Sequence, residues 1–210
     1  MGRHLWMYGK AGCGKTVLFS TVAEDIRRHC QKSADTACAL FYFSFSDTHK
    51  QASRDLLRSL AVQLGWREPG FSMLRQAYEK SDRSVPGLDE LEKTLLASIK
   101  SCKTVFLLLD ALDECPEEND DREGVLERIK VLTLNEPNLN FFVTSRELPQ
   151  IRDSMDELGF QRLPIPASAV DVDIQTYVSM QFSCDRHFRK FSPVTLSMIE
   201  SAITSKADGM

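Results

Sequence analysis

The chain has 210 residues, 42% of them apolar and 27% charged, with 10 Gly and 8 Pro, which excludes disorder and collagen-like repeats and fits one globular domain with a small appended unit. Lys and Arg number 26 against 30 Asp and Glu, a net charge of -4, so no global positive field recruits nucleic acid or anionic lipid. The longest apolar run, 105–109, is far short of the roughly 20 residues that a membrane-spanning helix needs. The N-terminus has neither the apolar stretch of a signal peptide nor a myristoylation pattern, so a cytoplasmic protein without membrane contact is expected. The six cysteines show no CxxC pair or zinc-like spacing and are expected to be reduced.

Strand-length apolar runs alternate with segments of helical period, the pattern of a parallel sheet covered by helices. Strands are predicted over 5–8, 38–45, 104–109, 139–144 and 160–165, and helices over 15–31, 52–64, 71–81, 88–100 and 123–134. In the fourth helix Leu88, Leu91, Leu95 and Ile99 form one apolar stripe. Gly65, Pro69-Gly70, Pro86-Gly87, Pro116 and Pro137 punctuate the connections. After Pro166 the pattern changes to two helical segments, 172–182 and 194–205, the second opened by Ser192-Pro193 as N-cap and first-turn proline. The expected division is therefore a core over 1–166 and the beginning of a helical subdomain over 167–210.

Gly9-Lys10-Ala11-Gly12-Cys13-Gly14-Lys15-Thr16 fits G-x-x-x-x-G-K-[ST] between a short apolar strand and a helix, the context that a phosphate-binding loop requires. Its three glycines let successive N–H groups curl inward onto phosphate oxygens, and the positive end of the following helix adds to the field. Lys15 is placed to reach the β- and γ-phosphates, and the Thr16 hydroxyl to ligate Mg²⁺. Cys13 reads as a small filler inside the loop.

The run 105–109 ends in Asp110-Ala111-Leu112-Asp113-Glu114, three acids within five positions. An Asp at the carboxyl end of a buried strand beside a phosphate loop serves Mg²⁺, and Asp110 fits that role. Asp113 and Glu114 lie just beyond, where either can orient a water or take its proton. Phe141-Phe142-Val143-Thr144-Ser145-Arg146 is a strand followed at once by a cation. If it inserts between the first strand and the Asp110 strand, Arg146 emerges facing the γ-phosphate.

Taken together, Gly9 to Thr16, the block from Leu109 to Glu114 with its small residue after the first Asp, and Thr144-Ser145-Arg146 resemble the NACHT branch of the STAND nucleotide triphosphatases. Phe41-Tyr42-Phe43-Ser44-Phe45, the segment from Ser59 to Leu64, the segment from Asp173 to Val178 and the terminal Ala207-Asp208-Gly209-Met210 add to a likeness to fungal receptor-type proteins that covers nearly the whole chain. The resemblance implies a three-layer α/β core with a five-stranded sheet of order 5-1-4-3-2, ATP or ADP (with GTP possible) and Mg²⁺ as ligands, and a switch in a larger signalling protein of the innate-immunity kind. It implies Lys15 and Thr16 for phosphates and metal, Asp110 for Mg²⁺, Asp113 and Glu114 for hydrolysis and Arg146 as sensor. Family members also carry a segment before the loop and a module beyond the position of Met210 that closes over the nucleotide. Their absence here leads to the expectation of an open site with rapid ADP exchange, slow turnover, and an apolar stripe (Leu196, Ile199, Ile203) that favours self-association.

Three alternatives stand beside this switch: a P-loop phosphotransferase acting on a small acceptor, a DNA-dependent motor or clamp loader, and a scaffold that binds nucleotide without turnover. No Arg-rich lid is visible for the first, and the charge balance disfavours the second. The absence of an N-K-x-D segment inclines the base toward adenine.

Overall fold

The computed structural model describes residues 3–47, 52–80, 86–117 and 121–207. Ser81, at the predicted end of the third helix, and residues 208–210 of the terminal motif lie outside them. Five strands, β1 (Leu5–Tyr8), β2 (Thr36–Tyr42), β3 (Thr104–Asp110), β4 (Leu139–Ser145) and β5 (Gln161–Pro164), form one parallel sheet of order β2-β3-β4-β1-β5. This is the expected order 5-1-4-3-2 counted from the other edge. Between and after the strands run α1 (Lys15–Cys30), α2 (Ser53–Leu64), α3 (Gly70–Lys80), α4 (Leu88–Lys100), α5 (Asp121–Asn135), α6 (Pro149–Glu157), α7 (Ala167–Cys184) and α8 (Pro193–Ala207).

Side chains alternate across a strand, so β3 sends Leu107 and Leu109 to one face and Leu108 to the other. Leu107 and Leu109 join a core with Leu57 and Leu60 of α2, Leu95 and Ile99 of α4, Ile129 of α5 and Ile151 of α6. Leu108 packs with Met7, Phe142, and Phe19 and Ala23 of α1 on the opposite face. Helices on both faces explain why the central strands read as near-continuous apolar runs.

Within α4, Leu91, Leu95 and Ile99 are buried as the stripe predicts, while Leu88 is exposed in the first turn. There the N–H of Gly87 donates to the Glu90 carboxylate (3.2 Å), which fixes the helix start. Strand β2 stops at Tyr42, short of the expected 45. The Phe43 N–H still donates to the Asp110 carbonyl (3.1 Å), but residues 44–47 turn away from the sheet. Helix α6 was not expected from the pattern. It is nine residues long, opens on Pro149, and buries only Ile151 and Met155, four positions apart.

The two C-terminal helices pack on each other and are linked by a short 3₁₀ segment, Arg186–Lys190. In α8, Leu196 and Ile199 are half-buried and Ile203 is exposed.

Candidate functional site

Parallel register brings the chemistry to one edge of the sheet. Asp110 ends β3 and pairs with Tyr42, Leu109 pairs with Val143, and Met7 and Tyr8 pair with Thr144 and Ser145. Strand β4 therefore lies between β1 and β3, and the loop after β1, the acids after β3 and Arg146 after β4 leave the carboxyl ends at the same level. In open parallel sheets that crevice is where ligands bind.

The loop is anchored at both sides: the Gly9 N–H donates to the Ser145 carbonyl (3.3 Å), and the Ile165 N–H donates to the Tyr8 carbonyl (2.8 Å). A Cβ on Gly9 would stand 2.7 Å from Cys13 Sγ and 3.2 Å from Ile165 Cβ, so the first position of the motif admits no side chain. Gly14, with φ 86°, takes the left-handed conformation that starts α1 and offers no side chain to cap it. The first turn of α1 thus has no side-chain N-cap. Lys15 folds back over the loop, where its ammonium donates to the carbonyls of Gly9 (2.9 Å) and Lys10 (2.7 Å). Thr16, Lys10, Ala11 and Gly12 are exposed, whereas Cys13 is buried with its Sγ 3.8 Å from Lys15 Nζ, as a filler of the loop interior should be.

The acids after β3 occupy three different environments. Asp110 is buried, and its carboxylate accepts from the Thr144 hydroxyl (2.5 Å), which in turn accepts from the Ala111 N–H (3.0 Å). Ala111 lies at φ 57°, a left-handed turn that a larger or branched side chain would oppose, and this accounts for the small residue after the Asp. That turn brings Asp113 back toward β4, where the buried carboxylate accepts from the Arg146 N–H (3.0 Å) and Nε (2.8 Å). Glu114 is half-buried and accepts from the Phe45 N–H (3.2 Å) after β2. Arg146 is half exposed, and it lines a cleft of about 360 Å³ with Tyr8, Gly9, Lys10, Cys13 and Ile165. A larger groove, about 720 Å³ along the outer edge of β2, contains none of the predicted site residues.

Two contributors were given no role by the sequence reading. Thr144, named there only within the Thr144-Ser145-Arg146 motif, carries the Asp110 contact. Arg122, in the first turn of α5, is 5% exposed. Its guanidinium donates to the Cys115 carbonyl from Nε (2.9 Å) and Nη2 (2.7 Å), to the Asp113 carbonyl (3.1 Å), and to the Glu117 carboxylate. It pins the backbone of the acidic segment from below. Burial also pushes the Cys115 thiol up to about 12, so it stays protonated at neutral pH.

This sheet order with a glycine loop between β1 and α1 is the P-loop NTPase fold. Across residues 2–146, more than half of the chain, the sequence matches the family model described as nephrocystin 3, N-terminal, and the chain belongs to that family. The assignment is consistent with a NACHT/STAND-type NTPase. No curated protein matches the chain. Similar solved structures include the Aeropyrum pernix ORC1 protein in complex with DNA (14% identity, TM-score 0.59, 97% of this chain and 49% of that one). They also include a Walker-type ATPase of Pyrococcus abyssi (12%, TM-score 0.51, 96% and 57%) and the Drosophila ORC bound to DNA (14%, TM-score 0.51, 97% and 45%). At such identities the likeness shows the fold. The chain spans about half the length of these structures.

Proposed function

We propose that this chain is a nucleotide-binding switch that takes ATP or ADP (with GTP as the other candidate) together with Mg²⁺, hydrolyses the triphosphate slowly, and controls assembly of a larger receptor-type protein. The observation that carries the reading is the uncapped N-terminus of α1 behind the glycine loop, at the same level of the sheet as Asp110 and Arg146. Lys15 already spans two carbonyls of the loop, so swinging it onto phosphate oxygens replaces neutral partners with charged ones, a gain of charge-assisted hydrogen bonding. The donors fit Mg²⁺ in chemistry, since Thr16 and Asp110 offer hard oxygens and the ion takes one or two protein ligands beside phosphate and water. Among the described residues no group of three or more His, Cys, Asp or Glu is placed to hold a metal ion. When bound, the ion would neutralise phosphate charge.

In this reading Glu114 orients the attacking water once it leaves the Phe45 N–H. Arg146 exchanges its bond with Asp113 for the γ-phosphate, and Asp113 holds the guanidinium in reserve while the site contains diphosphate. The division into a core over 1–166 and a helical unit over 167–210, a cytoplasmic location, and assembly through self-association or through other receptor-type domains belong to the same proposal. Among the described residues no helix is long and apolar enough to cross a membrane. Two of the structural neighbours are complexes with DNA, but a net charge of -4 gives no overall positive field to recruit it, and no nucleic-acid partner is proposed. Mass spectrometry of the nucleotide released on denaturing the purified protein tests the reading. ADP or ATP is expected, either carried through purification or bound when it is supplied, whereas a protein that carries none and binds none when it is supplied would overturn it.

A further inference from the structure

Strand β2 is an edge of the sheet, and edge strands present unpaired main-chain groups that invite another chain. In a parallel pair both polar groups of a residue point to the same side. The odd residues of β2 face β3, as the Phe43 N–H to Asp110 carbonyl bond continues to show, so Thr36, Cys38, Leu40 and Tyr42 face outward. At the centre of that outward row, Leu40 is occupied by a side chain of α2. The Gln63 Oε1 accepts from the Leu40 N–H (3.0 Å), and Gln63 Nε2 donates to the Leu40 carbonyl (2.7 Å) and to the Ser59 hydroxyl (2.9 Å). One amide thus makes the acceptor–donor pair that a residue of an added strand would make. Further along the edge, Arg67 donates to the carbonyls of Ala34 (2.9 Å) and Thr36 (3.1 Å).

Beside Leu40 lies the groove of about 720 Å³, with Leu40, Tyr42 and Val62 as apolar wall and Arg27, Arg58 and Gln63 around it. Asp55 is the single acid among the described residues of its lining, and that buried carboxylate is faced by Arg58 (3.8 Å) and Arg54 (3.9 Å). With Arg67 at the same edge, the surface is cationic in a chain of net charge -4. A second copy of β2 would bring two sets of these guanidinium groups together, which like-charge repulsion opposes, whereas an acidic strand would be drawn in. We propose that the outer edge of β2 is a docking site for an extended acidic peptide segment, added as a sixth strand, and that the Gln63 amide is the latch it displaces.

The probe is a synthetic peptide of seven residues alternating Val or Thr with Glu, titrated by fluorescence anisotropy against the parent and Gln63→Ala. Removing the latch spares the peptide from breaking two neutral hydrogen bonds, so binding about tenfold tighter is expected in the variant. The Lys-for-Glu peptide and a peptide N-methylated at alternate amides should not bind, and salt should weaken the acidic one. Should Gln63→Ala fail to fold by circular dichroism, Gln63→Met carries the test, since it keeps the length of the side chain, loses both bonds to Leu40 without adding charge, and should bind tighter than the parent. Equal affinity of parent and folded variant, equal binding of the N-methylated peptide, or dimerisation of the variant without peptide would each overturn the proposal, the last by making a second copy the occupant. None of these outcomes depends on nucleotide, so the docking site and the switch fail separately.

Discussion

Replacing Arg122 by Met keeps an unbranched apolar stem of similar reach and removes every donor from beneath the acidic segment. The carbonyls of Cys115 and Asp113 then lose the bonds that Arg122 gives them, in a region where Cys115 is wholly buried and Asp113 is 6% exposed. A hydrogen bond from a charged donor contributes about 1.5–3 kcal/mol. The partner carboxylate, Glu117, is 71% exposed, so losing that pair adds about 0–1 kcal/mol. Sparing the desolvation of a guanidinium offsets part of the loss. The net destabilisation is expected at about 2–4 kcal/mol, which for a domain of this size lowers the melting temperature by about 5–15 °C. Differential scanning calorimetry reads the shift, and a urea titration should show a lower midpoint at unchanged slope. Because the pinned backbone carries Asp113 and Glu114, any Mg²⁺-dependent nucleotide affinity should fall as well. A melting point within a degree of the parent would show that the segment between β3 and α5 holds itself, and that Arg122 is a satisfied buried cation with no positioning role.

Three other outcomes are expected. Glu114→Gln should bind Mg²⁺–ATP like the parent and slow its hydrolysis at least tenfold in a phosphate-release assay, while Asp110→Asn should weaken the Mg²⁺-dependent part of binding; identical behaviour of both would reduce the acidic block to a structural turn. Arg146→Ala should lower the preference for triphosphate over diphosphate by about 1–3 kcal/mol in calorimetry, because a guanidinium beyond the β-phosphate gains only from the third phosphate. An unchanged ratio would leave the Asp113 pair as its whole role. His4 is half-buried with its Nδ1 accepting from the Phe141 N–H (3.3 Å), and burial holds its pKa below 6.5. The unfolded chain therefore takes the proton first, so stability is full above pH 6.5 and falls as the pH drops from there through the folded value. In His4→Asn that part of the acid sensitivity, read from denaturation midpoints between pH 7.5 and 5, should disappear.

What the sequence disclosed and what it hid separate along physical lines. The strand order came with the family resemblance, while the residues themselves offered only the conditional placement of the Arg146 strand between the first strand and the Asp110 strand, a place that β4 takes. Helix α6 was not legible, since a nine-residue helix with two buried apolar positions leaves almost no period to detect. Strand β2 was over-extended because Phe43 and Phe45 continue its alternation, although Phe43 is buried and Phe45 exposed beyond the turn. The contacts that define the candidate site are long-range: Asp113 meets Arg146 across 33 positions, and Asp110 meets Thr144 across 34. Residue type announced the acids and the cation, but not that Asp113 and Arg146 hold each other. Arg122 gave no signal, and Gln63 entered only within the segment from Ser59 to Leu64 without a role, since a polar residue on a helix reads as solvated until the fold places a carbonyl or a strand edge against it.

The central claim, that the loop from Gly9 to Thr16 binds nucleotide phosphates, is tested most directly by titrating ATP and ADP with Mg²⁺ into the parent and into Lys15→Ala by isothermal calorimetry. The account predicts one site per chain in the parent, and in the variant a loss of triphosphate affinity of at least a hundredfold, with melting temperature and circular dichroism close to the parent's, because among the described residues the polar partners of the Lys15 ammonium are the loop's own carbonyls and the Cys13 sulfur. Equal ATP affinity in the two proteins, or no binding by a folded parent, would contradict it.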